Sequence, residues 1–287
     1  MELRHIASRA GRLSSFLREE MGMSAGLVNR LKWQEKLFVN GAAQFTNYAV
    51  VPGDVITVSI DEPAPDYPAQ AGNIPVLYED AHFLVVDKPA GMLIHPSRHC
   101  NTGTLANFVA GYYQKTGQPC AFHPITRLDR DTFGVVLLAK NAHIHACMQL
   151  PEYPVQKTYH ALVYGTPNPP AGIIDAPIAR RSAPSLLREV RGDGKPSHTQ
   201  YRLLECFDGY SKLALRPVTG RTHQLRVHCA YMGFPILGDP QYHTPESAAL
   251  SKRFSLSSQL LCAHTLQFGH PVTGETLTIT SGMDAIL

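Results

Sequence analysis

No apolar stretch in this chain reaches the ~18 residues needed to cross a bilayer, so a membrane protein of helical type is not expected. Charge of one sign is scarce too. A formal net charge of +3 on 287 residues neither demands a nucleic-acid partner nor repels one. Cys-x-x-Cys pairs are absent: Cys100, Cys120, Cys147, Cys206, Cys229 and Cys262 are scattered, which argues for reduced thiols rather than a disulfide frame or a zinc site. The histidines supply no metal signature, since His143 and His145 stand two apart and His223 and His228 five apart, whereas a zinc-binding helix spaces its ligands by four. No metal site is expected. Gly192-Asp193-Gly194-Lys195 is too short for a phosphate-binding loop and reads as a hairpin turn. There is no internal repeat. The opening MELRHIASRAGRL carries charge where a signal peptide has its apolar region, and a cytoplasmic protein is the expectation.

What is there is an ordinary globular composition, 44% hydrophobic and 17% charged, enough for a large domain plus a small one. Residues 61–75, DEPAPDYPAQAGNIP, carry four prolines and no apolar periodicity, and read as an extended linker. It separates a compact segment, residues 1–60, from a larger domain, residues 76–287. The small segment has helical patterns at 15–20 and 25–34, the second capped by Ser24. Strand signals follow at 37–41, ending in an Asn40-Gly41 turn, and at 54–60. The larger segment shows strands at 83–89, 135–139, 159–165, 199–205, 211–217 and 276–280, with helices at 105–116, 142–150 and 222–232. Most of these strands follow one another without a helical crossover, which predicts an α+β fold around a mixed, largely antiparallel sheet.

Three stretches carry chemistry-bearing residues. In ITRLDRDTFGVVLLAK, Arg127, Asp129, Arg130 and Asp131 lead directly into a continuous apolar run that reads as a strand buried on both faces. A charge at the mouth of such a strand costs several kcal/mol if buried without a partner, so a carboxylate there needs an arginine. TGRTHQLRVHCAYMG places Arg221, His223, Gln224 and Arg226 around a predicted helix start with Thr222 as its cap, a setting suited to holding a carboxylate. In VQKTYHALVYG, Lys157, Tyr159 and Ala161 share one face of a strand, and a tyrosine there can either pack or stack on a flat heterocycle.

Together with Lys88-Pro89-Ala90-Gly91, these blocks resemble the RNA pseudouridine synthases of the RluA type. The matching runs are Arg127 to Gly134, Lys157-Thr158-Tyr159-His160-Ala161 and Gly220 to Arg226, in order and at matching spacing from about residue 75 to the C-terminus. The first sixty residues resemble, more loosely, the small S4-type RNA-binding module. The resemblance implies a pseudouridine synthase fold, a uridine in ribosomal or transfer RNA as substrate, no cofactor and a monomer. It implies that the C1′–N1 bond is broken and the uracil rejoined through C5. By resemblance Asp129 is the catalytic aspartate, Arg221 its arginine partner, and Tyr159 the residue that stacks on the uracil. Arg127 would enter the stack vacated by a flipped nucleotide, Leu225 would form an apolar wall, and Lys157, His223 and Gln224 would contact substrate. Thr126 and Phe133 stand where the family often has His and Ser, so substrate preference does not transfer.

Two other classes compete with this reading. An RNA-binding protein on an inactive synthase scaffold would have lost the aspartate, which is present. A glycoside hydrolase built on Asp129 and Asp131 needs carboxylates on opposite sides of a bond, whereas residues two apart in extended chain point the same way. Arg180, Arg181, Arg188, Arg191 and Lys195 form either a solvated basic face or a phosphate-contacting arm.

Overall fold

The computed structural model describes residues 2–61, 67–97, 100–118, 120–182, 185 and 187–286. Residues 2–61 close on a core of their own, in which Leu13, Phe16, Leu17, Leu31, Ile56 and Val58 are buried. Strands β1 (Glu2–Ile6), β2 (Leu37–Val39), β3 (Ala42–Ala43) and β4 (Val55–Ser59) form an antiparallel sheet in the order β1-β4-β2-β3. Helix α1 (Ala25–Trp33) begins where Ser24 Oγ accepts the backbone N–H of Leu27 at 3.2 Å, satisfying one of the free donors of a helix start. Asn40 and Gly41 both adopt positive φ, as an Asn-Gly hairpin turn between β2 and β3 requires.

The expected linker needs correction in its described half. Residues 62–66 lie outside the described residues, but residues 68–73 do not hang free. They lie along helix α2 (Leu105–Lys115): Gln70 N–H donates to Asn107 O at 2.9 Å, Asn107 Nδ2 donates to Pro68 O at 2.8 Å, and Gln70 Oε1 accepts from Gly103 N–H at 2.7 Å. The approach needs a glycine, because a Cβ on Gly111 would stand 2.1 Å from Gln70 O. These contacts make the second half of the segment a strap and not a spacer.

The large sheet has ten strands and follows the predicted class. In chain order it uses β5 (Val76–Glu79), β6 (Phe83–Lys88), β7 (Phe133–Ala139), β8 (Gln156–Tyr164) and β9 (Ala171–Asp175). A separate basic hairpin follows, β10 (Ile178–Arg180) with β11 (Arg188–Val190), and then β12 (His198–Cys206), β13 (Tyr210–Pro217), β14 (Leu261–Gly269) and β15 (Thr276–Thr280). The strand order is β9-β12-β13-β8-β14-β7-β6-β5, with β15 added beside β14 and residues His123–Pro124 beside β7. Among the described residues only the β7–β14 pair is parallel. Helices α3 (Ala142–Cys147), α4 (Gln224–Tyr231) and α5 (Pro245–Arg253) complete the domain, and a 3-10 turn (Gly282–Ile286) follows β15. Every residue of β7 is buried. Val135, Leu137 and Ala139 enter one apolar cluster with Phe83 and Val85, while Val136 and Leu138 enter another with Leu84, Val86, Leu105 and Val109. That division is why the apolar run of this strand is unbroken. No helix among the described residues is long and apolar enough to cross a membrane.

Candidate active site

The loop that carries Asp129 is pinned from both ends. On one side β7 enters its parallel pairing at Gly134, whose φ is +110 and whose missing Cβ would stand 2.4 Å from Ala263 O, so only glycine fits. On the other side Thr126 Oγ1 accepts the N–H of Leu137 at 2.9 Å. From beneath, the fully buried Lys88 donates from Nζ to the carbonyls of Pro89, Met92 and Arg130, each at 2.9 Å. Burial lowers the Lys88 ammonium to about 8, against the opposing pull of Asp131 and Asp129. These contacts hold the backbone of the turn while its carboxylate faces a cleft of about 640 Å³, within the usual range for ligand sites.

Asp129 meets its arginine in the cleft, but the arginine is not the expected one. Arg226 Nη1 stands 3.5 Å from Asp129 Oδ2. Arg221 is exposed at the rim and donates from Nε to Pro196 O at 3.3 Å. The reason is where the helix begins. Thr222 was the expected cap, yet His223 takes that place with φ 57, and the left-handed residue turns Arg221 out before α4 starts. Arg226, one turn into the helix, points inward. It donates to the buried Asp239 from Nε at 2.6 Å and Nη2 at 2.8 Å, and from Nη2 to Gln241 Oε1 at 2.9 Å. Burial works against its charge, but the Asp239 contacts and Asp129 outweigh it and raise the guanidinium further.

Gln224 is the second correction, since its side chain has no capacity left for substrate. Its Oε1 accepts from Thr219 Oγ1 at 2.8 Å and from Arg221 N–H at 3.0 Å, and its Nε2 donates to His198 O and Thr199 Oγ1, both at 3.0 Å. Two donors and two acceptors exhaust an amide. Gln224 folds the 219–221 turn.

The remaining expected residues line the cleft. Tyr159 and Leu225 are buried in one apolar cluster with Leu213, Leu215 and Cys229, and burial followed by the Asp129 charge pushes the Tyr159 phenol well above its ordinary value. Lys157 also lines the cleft, its ammonium lowered by burial and by Arg127. Arg127 is exposed at the mouth. His223 Nε2 lies 4.0 Å from Asp129 Oδ2. Asp239 and Tyr242, in the run Gly238-Asp239-Pro240-Gln241-Tyr242, were missed in the sequence; a Gly-Asp-Pro turn was the signal, but nothing local says that it returns to the helix start.

One group among the described residues has metal-ligand chemistry. His160, His264 and Asp284 place ligand atoms within 4.8 Å of one another, on the face of the sheet opposite Tyr159. The Lys212 ammonium is already 3.0 Å from Asp284 Oδ2, and a dication there would have to displace it. The cleft itself assembles a carboxylate, a guanidinium, an imidazole and an apolar wall, a set suited to holding a flat polar ring against a negative charge.

A family profile described as RNA pseudouridylate synthase matches residues 82–231. An uncharacterized RNA pseudouridine synthase of Bacillus subtilis (strain 168), YlyB, is 39% identical over 246 residues, covering 84% of this chain and 79% of the relative. The ribosomal large subunit pseudouridine synthase C of Vibrio cholerae is 32% identical, with 96% of this chain and 90% of the relative covered. Among solved structures, the human RNA pseudouridylate synthase domain containing 1 superposes with a TM-score of 0.60 at 27% identity, over 77% of this chain and 87% of that one.

Proposed function

The chain belongs to the RNA pseudouridine synthases, and from that premise we propose that Asp129 is the group that acts at C1′ of a uridine in large-subunit ribosomal RNA. As a member of this family the protein isomerises uridine in RNA to pseudouridine. The choice of RNA follows relatives named for the large ribosomal subunit, among them one of Nitrosomonas europaea that is 35% identical over 85% of this chain. The observation that carries the assignment of Asp129 is its carboxylate in the cleft, 3.5 Å from Arg226 and walled by Tyr159 and Leu225.

Breaking the C1′–N1 bond builds positive charge at C1′, which an adjacent carboxylate stabilises. Arg226 orients that carboxylate without covering it. Tyr159, held as a neutral phenol by its burial, stacks on the uracil while it turns. Leu225 closes the apolar wall, Lys157 and His223 contact substrate, and Arg127 at the mouth fills the gap left by the flipped nucleotide. The reaction is an isomerisation with no redox change and no external nucleophile in its product, so no cofactor or metal is required and turnover should survive EDTA once RNA folding is controlled for. An intact Asp129 in a built cleft speaks against the inactive-scaffold reading.

Residues 2–61 would serve as an S4-like RNA-binding module. Support comes from Trp33, 75% exposed, with Lys32 Nζ 5.2 Å from its ring, a surface on which a base can stack. The test of the substrate is pseudouridine mapping across total RNA in cells with and without this chain. Loss confined to large-subunit ribosomal RNA is expected; loss confined to transfer RNA would replace the proposed substrate.

A further inference from the structure

The hydrogen-bond pattern beside Asp129 leads away from the cleft toward the basic hairpin. The backbone N–H of Arg188, in β11, donates to Tyr242 Oη at 2.8 Å, and the same oxygen lies 2.9 Å from His223 Nδ1. A phenol has one proton to give. Arg188 N–H and His223 Nδ1 are the hydrogen-bond partners of Tyr242 Oη among the described residues, and Tyr242 is only 9% exposed. Giving that proton to His223 Nδ1 satisfies both contacts of the oxygen and makes Nδ1 the acceptor nitrogen. The imidazole proton is then on Nε2, the nitrogen that faces Asp129 Oδ2 at 4.0 Å.

We propose that Tyr242 is a positioning residue, which locks His223 in the tautomer whose Nε2–H faces Asp129 and ties that state to the β10–β11 hairpin. The proposal rests on Asp129 being the reacting group. Tyr242 is placed for this by groups on three sides. Asp239 Oδ1 accepts its backbone N–H at 3.0 Å. Its ring lies 5.0 Å from the Arg226 guanidinium and 5.6 Å from the His223 ring. It packs with Ile178 and Val227, against Leu187 and Val190 of the hairpin segment.

The charged groups around His223 are Asp129, Arg226, Asp239 and Arg188. Burial lowers its proton affinity, Arg226 and Arg188 push the same way, and the two carboxylates oppose them. The imidazole is thus a neutral donor at neutral pH. It can turn toward Asp129 or a substrate oxygen as the complex tightens, while Arg226 alone neutralises the carboxylate. At the outer end of the chain, Arg188 Nη1 is buried with no hydrogen-bond partner.

Two readouts on Tyr242→Phe test this, because phenylalanine keeps the ring packing and removes only the hydroxyl. By nitrogen-15 NMR of labelled histidine, free wild-type protein should show His223 with an unprotonated Nδ1 and a protonated Nε2. Tyr242→Phe should show a mixture of tautomers, with a melting temperature lowered by at most a few degrees because the Arg188 N–H loses its acceptor. In single-turnover assays Tyr242→Phe should lose about tenfold or more in rate with KM nearly constant. His223→Gln, which keeps an N–H near the Nε2 position, should remain faster than His223→Ala, and Tyr242→Phe should add little to His223→Gln. A wild-type tautomer in Tyr242→Phe, or additive losses in the double variant, would overturn the proposal. The NMR result does not depend on turnover, so failure of the Asp129 assignment would appear separately, as product formed by Asp129→Asn.

Discussion

The two faces of the central sheet each hold one carboxylate among basic side chains, and they use it differently. On the cleft face Asp129 has Arg226 at 3.5 Å and His223 at 4.0 Å. On the opposite face Asp284 has His160 at 2.8 Å and Lys212 at 3.0 Å, with His264 at 3.9 Å. Their side chains are almost equally exposed, 31% and 26%, so exposure does not separate them. Contact length does. Asp284 is satisfied by short charge-assisted bonds and anchors the C-terminal turn, whereas Asp129 is oriented at long range and keeps lone pairs free. Adjacent residues divide between the two tasks twice over. Asp87 accepts from Ser281 Oγ and Gly282 N–H behind the sheet, while Lys88 holds the Asp129 loop in front. Likewise Tyr159 walls the cleft and His160 binds Asp284. The carboxylate proposed to react and the structural one differ in their shortest contact, 3.5 Å against 2.8 Å.

Arg226→Met and Lys212→Met should break the comparison most visibly. The first strands Asp239, whose side chain is fully buried, and should cost about 3–5 kcal/mol of stability together with essentially all turnover. The second leaves Asp284 its histidine and should cost about 1 kcal/mol with turnover intact. Denaturant melts and single-turnover rates decide it; a stable, active Arg226→Met would show that Asp129 needs no guanidinium. Next in size is Tyr159→Leu, expected to lose the equivalent of about 1–3 kcal/mol of stacking in rate, while Tyr159→Phe loses little and His160→Gln none. A Tyr159→Phe enzyme slowed by ~10²–10⁴-fold would instead make the phenol a proton acceptor. Arg221→Met, at an exposed rim position, should raise KM a few-fold and change stability by less than about 0.5 kcal/mol.

How much of this was visible beforehand depends on range in the chain. The double-faced burial of β7, the α2 helix and the cap at Ser24 were legible, because each is written in consecutive residues. Strand β14, which was not predicted, sits between β7 and β8 with His264 and Gln267 interrupting its apolar pattern. Arg226 was placed in the first turn of the helix but not chosen as the carboxylate's partner, because Asp239 lies in a turn thirteen residues on and the left-handed His223 shifts the helix start. The strap at 68–73 was invisible for the same kind of reason, since its glycine partner is on another element.

A separate prediction concerns Lys88 and pH. Its pKa falls from the ordinary 10.5 to about 8 on folding, so between those values the unfolded chain binds the more protons. Wild-type stability should therefore rise relative to Lys88→Met as pH climbs through that window, whatever the offset at neutral pH. Denaturant midpoints of the pair at several alkaline pH values test this, and a difference that stays flat or shrinks would mean that the three carbonyl bonds hold the ammonium near its ordinary affinity.

The most direct test sets the two carboxylates against each other on one RNA. Asp129→Asn and Asp284→Asn are compared by single-turnover pseudouridine formation on a large-subunit ribosomal RNA transcript, with RNA binding and melting temperature measured in parallel. Asp129→Asn should form no product while binding RNA and melting as the wild type does, and Asp284→Asn should turn over normally but melt at a lower temperature. Product from Asp129→Asn at a measurable rate would contradict the assignment of the cleft carboxylate.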